Sequence, residues 1–118
     1  MDKTQIGKYG EDIAINYLRK NGYQIIERNF RTKFGEIDII TKYKKALIFF
    51  EVKYRKTIEY GYPYTAVNKY KLKRLQKLID YYYQVKKPKL PPKLEVLSIY
   101  SKGDKPQIQH FKDVLLFK

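Results

Sequence analysis

Four residues carry the chemistry that this sequence suggests. Glu36 and Asp38 stand two apart in Gly35-Glu36-Ile37-Asp38-Ile39-Ile40, and Glu51 and Lys53 stand two apart in Phe50-Glu51-Val52-Lys53. Alternate side chains of a strand share a face, so the pattern groups Glu36 and Asp38 with Ile40, and Glu51 with Lys53 and Arg55. Carboxylates among large apolar residues are costly to bury unless something compensates them. A hairpin closed by Lys44 and Lys45 would set Asp38 opposite Glu51 and Glu36 opposite Lys53, whereas a turn of odd length would break that pairing. Two carboxylates facing each other repel, and a divalent cation removes the repulsion. Hard oxygen ligands suit Mg²⁺ or Mn²⁺. Such an ion polarises a phosphodiester and lowers the pKa of bound water. The Lys53 ammonium would orient that water or stabilise charge building on the phosphate. A fourth acid, Glu11, lies on the helical stripe Gly7, Glu11, Ala14, Leu18, where small neighbours leave it room to reach a site at the sheet edge. The plainer alternative is a solvated strand face with Glu36 and Lys53 as a cross-strand ion pair, because Glu-x-Lys alone is common by chance.

The elements that must position these groups can be read along the chain. Residues 4–21 carry Ile6, Gly10, Ile13, Tyr17 and Leu18 at three- and four-residue steps, with Gly22 placed to end a helix. Strands follow over 23–30, 36–43 and 46–54, rich in β-branched and aromatic residues and separated by short turns. After the Gly- and Pro-containing loop at 60–64, helical spacing resumes from about Thr65 to Lys87, and Pro88, Pro91 and Pro92 stop it. One strand over 94–100, a turn at Lys102 to Lys105 and a short strand over 107–111 complete the chain. The order α-β-β-β-α-β-β describes an α/β fold with one mixed sheet flanked by helices.

Composition sets the partners. The 118 residues suit one domain, 1–118, able to bury a core without staples. There is no cysteine, which excludes disulfides and thiolate metal sites. No leader pattern or membrane-length apolar run is present, so a cytoplasmic protein away from membranes is expected. Twenty-six Lys and Arg against twelve Asp and Glu leave a net charge of +14, which attracts polyanions. Nine of the basic residues fall in 65–93 against one acid, Asp80. A solvated, lysine-rich helix face would look the same. The tyrosines at 81–83 read as helix packing or a subunit interface before base stacking. The lone histidine, His110, reads as a surface or packing residue, since single histidines seldom act without a partner.

The stretch from Gly7 to Lys56 resembles the YraN-like family of predicted endonucleases, itself similar to archaeal Holliday-junction resolvases of the PD-(D/E)XK nuclease superfamily. The resemblance covers essentially the whole chain. It is carried by Gly10-Glu11 with Ala14 and Leu18, Arg28-Asn29-x-Arg31, Gly35-Glu36-Ile37-Asp38, and Phe50-Glu51-Val52-Lys53 with Arg55. It implies a restriction-endonuclease-like core with Asp38 and Glu51 as metal ligands. Lys53 would be the catalytic lysine, and Glu11 a helix acid completing the metal shell. It also implies phosphate contact by Lys71 and Arg74, to which Arg31 and Arg55 add positive charge. Glu36 would be a supporting residue, pairing with Lys53 or Arg31. Ile37 stands where the superfamily name has proline, a proline that the YraN-like pattern also lacks. Lys93 and Glu95 stand where relatives usually show an Arg-Phe-Asp run, which leaves Glu95 without a role.

The expectation is therefore a Mg²⁺- or Mn²⁺-dependent endonuclease acting on DNA, with branched or structured DNA suggested by analogy with the resolvases and a homodimer compatible with it. Two other classes fit the charge: a nucleic-acid-binding module without turnover, and a protein that recruits a partner in DNA repair or recombination. Four retained residues, Glu11, Asp38, Glu51 and Lys53, argue against a pure binder, because acids repel phosphate.

Overall fold

Seven elements follow one another in the expected order: α1 (Lys3–Lys20), β1 (Gln24–Thr32), β2 (Gly35–Tyr43), β3 (Ala46–Arg55), α2 (Lys69–Lys86), β4 (Pro92–Lys102) and β5 (Lys105–Val114). The computed structural model describes residues 3–55, 69–103 and 105–114. The loop at 60–64 and the expected first residues of the second helix, 65–68, lie outside the described residues. So does the side chain of Arg55, which closes β3.

Local chemistry explains the boundaries. Helix α1 ends as expected at Gly22, whose φ of 88° only glycine adopts freely, with Tyr23 N–H donating to Leu18 O (2.9 Å) and Gly22 N–H to Arg19 O (3.2 Å). The β2–β3 hairpin closes through Lys44 and Lys45, with Lys44 at φ 53°. Its ladder runs from Tyr43↔Ala46 to Ile39↔Phe50, the expected register. Strand β4 begins earlier than its apolar run suggests. Pro92, lacking an N–H, opens the pairing opposite Leu47, as a first strand residue can.

The strands are ordered β1-β2-β3-β4-β5, antiparallel except for the parallel pair β3–β4. A parallel neighbour needs a crossover, and α2 lies within it. The result is a mixed five-stranded sheet flanked by two helices, compatible with a restriction-endonuclease-like core. On one face, Ala14, Ile15 and Leu18 of α1 cluster with Ile39, Ile48, Phe50, Leu97 and Ile99. On the other, Leu75, Leu78, Ile79 and Tyr82 of α2 cluster with Phe30, Ile37, Ile40, Phe49, Leu94 and Val96. Cover on both faces is why β3 starts with an unbroken apolar run, Ala46 to Phe50, all buried. No described helix is long and apolar enough to cross a membrane.

The α1 face also holds a polar network that sequence patterning did not anticipate. His110 Nε2 lies 2.7 Å from Glu95 Oε1, Tyr17 Oη lies 2.9 Å from His110 Nδ1, and Tyr23 O–H donates to Glu95 (3.1 Å). The His110 and Glu95 side chains are buried, so the lone histidine has hydrogen-bond partners from α1 and β4, and Tyr23 before β1 supports Glu95 in turn. Of the tyrosines at 81–83 in α2, Tyr82 is buried, Tyr83 donates to Leu90 O (2.6 Å), and Tyr81 is partly exposed beside Phe34.

Candidate metal and phosphate site

The acids gather where the sheet breaks its own alternation. Arg28 lies on the α1 side, paired with Asp12 (3.1 Å), yet Phe30, two residues on, packs against Tyr82 of α2. Between them Asn29 adopts a left-handed φ of 55°. Across the ladder Arg28 pairs with Ile39 and Phe30 with Ile37, so β2 changes face in step: Ile37 joins the α2 cluster and Ile39 the α1 cluster. Asp38 is the residue at the change. The expectation that Ile37 and Ile39 back one face while Ile40 shares the other with Asp38 is corrected: Ile37 and Ile40 pack together. A left-handed residue rotates the chain in a way that strict alternation does not contain.

Freed from regular pairing, the Asp38 carboxylate accepts the Val52 N–H through Oδ2 (2.8 Å), just beyond the last β2–β3 pair. Its other neighbours are Glu11 and Glu36. One carboxylate oxygen from each of these three acids lies within 4.8 Å of the others. Glu11 gets there because α1 approaches β3 closely at Gly10, where a Cβ would fall 2.8 Å from the Tyr54 Cβ. Glu11 Oε1 is buried without a hydrogen-bond partner. Three clustered acids, one of them with a buried unsatisfied oxygen, fit a hard divalent cation.

Electrostatics agrees with that reading. Burial, then the Glu51 charge, push the Asp38 carboxyl up to about 7, against relief from the Val52 hydrogen bond. Burial likewise raises the Glu11 carboxyl, while the Arg28 guanidinium opposes the shift. An acid cluster that cannot ionise comfortably by itself is one that a cation stabilises.

Glu51 sits apart from the three. Alternation along β3 turns it, with Phe49, toward α2, where it is 7% exposed. Its Oε1 meets Lys71 Nζ at 2.6 Å and Lys53 Nζ at 3.3 Å. Burial lowers the Lys71 pKa, and the hydrogen bond to Glu51 opposes that shift. Lys71 thus lies against a carboxylate. Arg74 runs along Gly35, its Cδ 3.7 Å from where a side chain there would begin, and is exposed. Gly35 itself has φ 138°, which favours glycine at the start of β2. Arg31 is 75% exposed and donates to Glu36 (3.2 Å), taking the partner that pairing with Lys53 would have supplied.

A cleft of about 860 Å³ opens over the acids. Glu11, Glu36, Asp38 and Lys53 line it, all partly buried, together with the exposed Lys8, Arg28 and Arg31, which form a cationic rim. Sequence reasoning singled out Arg31 and Lys53 but gave no site role to Lys8, Arg28, Asn29 or Tyr54. For Arg28 and Asn29 the signal was present in the Arg-Asn-x-Arg turn. Glu36, expected to be a support, stands among the clustered oxygens.

The pattern of the uncharacterised protein family UPF0102 matches residues 10–99, from the helix acid through the parallel strand pair. The chain belongs to the UPF0102 family. This is the YraN-like group of predicted endonucleases to which the motifs pointed. The UPF0102 protein of Syntrophotalea carbinolica is 38% identical over 110 residues, covering 92% of this chain and 89% of the relative. That of Thermodesulfovibrio yellowstonii is 41% identical over 113 residues, covering 96% and 97%. That of Carboxydothermus hydrogenoformans is 35% identical over 118 residues, covering 99% and 100%. UPF0102 names assign no activity, so a chemical reading has to come from the cleft.

Proposed function

We propose that this UPF0102 protein is a divalent-cation-dependent endonuclease that hydrolyses DNA phosphodiester bonds. The observation that carries the reading is the oxygen cluster of Glu11, Glu36 and Asp38 beneath a cationic rim in one cleft. Bare acids would repel a phosphate backbone, and cations alone would bind it without chemistry. Their arrangement in layers suits a phosphodiester held above a metal. Asp38 and Glu11, with Glu36, would hold Mg²⁺ or Mn²⁺, which supplies Lewis-acid polarisation of the phosphate and activation of water. Lys53 lines the cleft, and its ammonium would stabilise negative charge developing on the phosphoryl oxygens. Arg28 and Arg31 on the rim, with Lys71 and Arg74 at the head of α2, would contact backbone phosphates. Such contacts position DNA and carry little base specificity.

The net charge of +14 supports DNA as the partner through counterion release, so affinity should fall steeply with salt. Branched or structured DNA is the substrate class favoured by likeness to junction resolvases, a fold-level analogy. The test is incubation with a four-way junction, a flap and a plain duplex in Mg²⁺, Mn²⁺ or EDTA, beside Asp38→Asn and Lys53→Ala. The expected result is cleavage by the wild type that needs metal and is lost in both variants. Cutting that persists in EDTA or in both variants would refute the mechanism. Tight binding without cutting under every metal would favour a module that binds DNA without turnover.

A further inference from the structure

Glu51 poses a problem for the cation site just described, on which this inference rests. It is the charge that raises the Asp38 pKa most, so it is electrostatically part of the cluster. Yet its Oε1 faces two ammonium groups, and the closer one comes from another element. Lys71 sits in the first turn of α2, its side chain only 13% exposed, and reaches Glu51 at 2.6 Å. Lys53, two residues away on the same strand, would partner Glu51 without help from α2. A second buried cation is therefore an addition, and it neutralises the one acid of the four that the other three leave out.

A lysine ammonium and a divalent cation compete for the same carboxylate lone pairs. A lysine at a helix start beside a cationic rim also has a second possible partner, a phosphate oxygen. We propose that Lys71 is a displaceable internal counter-ion of Glu51: a DNA phosphate that draws Lys71 away frees Glu51 for the cation, so DNA and cation bind cooperatively. Before DNA arrives, Glu51 is neutralised and the cation is held by fewer carboxylates. Once the phosphate has taken Lys71, the ligand set grows by one acid. The coupling is reciprocal, as any linkage between two binding equilibria must be, so cation tightens DNA by the factor by which DNA tightens cation.

The test reads binding rather than cleavage. Mn²⁺ affinity is measured by electron paramagnetic resonance for the wild type, Lys71→Gln and Lys71→Arg, with and without a short phosphorothioate duplex that keeps its backbone charge. For the wild type, DNA should tighten Mn²⁺ by about 5-fold or more. Lys71→Gln should bind Mn²⁺ more tightly than wild type in the absence of DNA and gain nothing further from it. Lys71→Arg should keep the coupling. Should Lys71→Gln fail to fold, the wild type alone decides by acylation of Lys71 followed by mass spectrometry. Lys71 should be protected in EDTA, labelled faster in saturating Mn²⁺ without DNA, and protected again when the duplex is added and its phosphate takes the ammonium. Unchanged or weaker Mn²⁺ binding by Lys71→Gln, or labelling indifferent to Mn²⁺ and DNA, would overturn the proposal. Failure of the nuclease reading would look different: no substrate cut, whatever the Mn²⁺ isotherms show.

Discussion

Asp38→Asn should make the metal-free protein more stable at pH 8, and the size of the gain follows from the cost of ionising Asp38 in the fold. The carboxyl rises from its usual 3.8 to about 7. Its folded pKa lies above the unfolded one, so the folded state retains the proton between those two values. Stability contributed by this group is therefore full below about pH 4, falls through the window from about 4 to about 7, and is flat above it. A shift of about 3 units at about 1.4 kcal/mol each sets a ceiling near 4 kcal/mol. The cleft is open, so solvent screening reduces that figure, and about 2 kcal/mol is the expected gain. Asparagine is nearly isosteric, and its Oδ1 can still accept the Val52 N–H that Asp38 now accepts at 2.8 Å.

Chemical unfolding in EDTA at pH 5, 6, 7 and 8 gives the comparison. The wild type should lose stability across the series, while Asp38→Asn keeps only the shallower slope in the same direction that the raised Glu11 carboxyl supplies. Metal reverses the ranking near saturation: with an ion at about a hundred times its Kd, the wild type should gain about 2.7 kcal/mol by mass action. Asp38→Asn should gain much less. A variant no more stable than wild type at pH 8, or an advantage that does not grow from pH 5 to pH 8, would refute the reasoning.

Gly10→Ala should cost about 1–3 kcal/mol despite alanine's better helix propensity, because its Cβ would meet that of Tyr54 at 2.8 Å; the same variant should weaken Mn²⁺ binding by moving Glu11, as calorimetry would read. Arg31→Ala should leave stability within about 0.5 kcal/mol, since its pair with Glu36 is exposed, while weakening DNA binding about equally for all sequences in fluorescence anisotropy. His110→Ala should destabilise by about 2–4 kcal/mol in urea melts, because it strips the buried Glu95 carboxylate of its closest partner, yet leave Mn²⁺ affinity unchanged at temperatures where it is folded.

The parts legible in the sequence and the parts that were not separate along a physical line. Periodicity located both helices and all five strands, and the Lys44-Lys45 turn gave the β2–β3 register, because apolar spacing and turn length are local properties. The same logic extended that register to Asp38 and Glu51, and there the ladder stops. What intervenes is the left-handed backbone of Asn29, on a different strand, which turns β1 and β2 over together and carries Asp38 toward Glu11 and Glu36. Asparagine tolerates that conformation more readily than most residues, so Arg28-Asn29-x-Arg31 held a hint, but one residue type does not fix a φ angle. Glu51 was hidden for another reason: its Lys71 partner is twenty positions away across the crossover, and no local pattern records which lysine of a lysine-rich helix turns inward. Charge composition implied a polyanion partner from the chain as a whole. Only the fold distinguishes the lysine that sits on a buried acid from those that face solvent, and that difference separates a cation that neutralises the site from one that brings DNA to it.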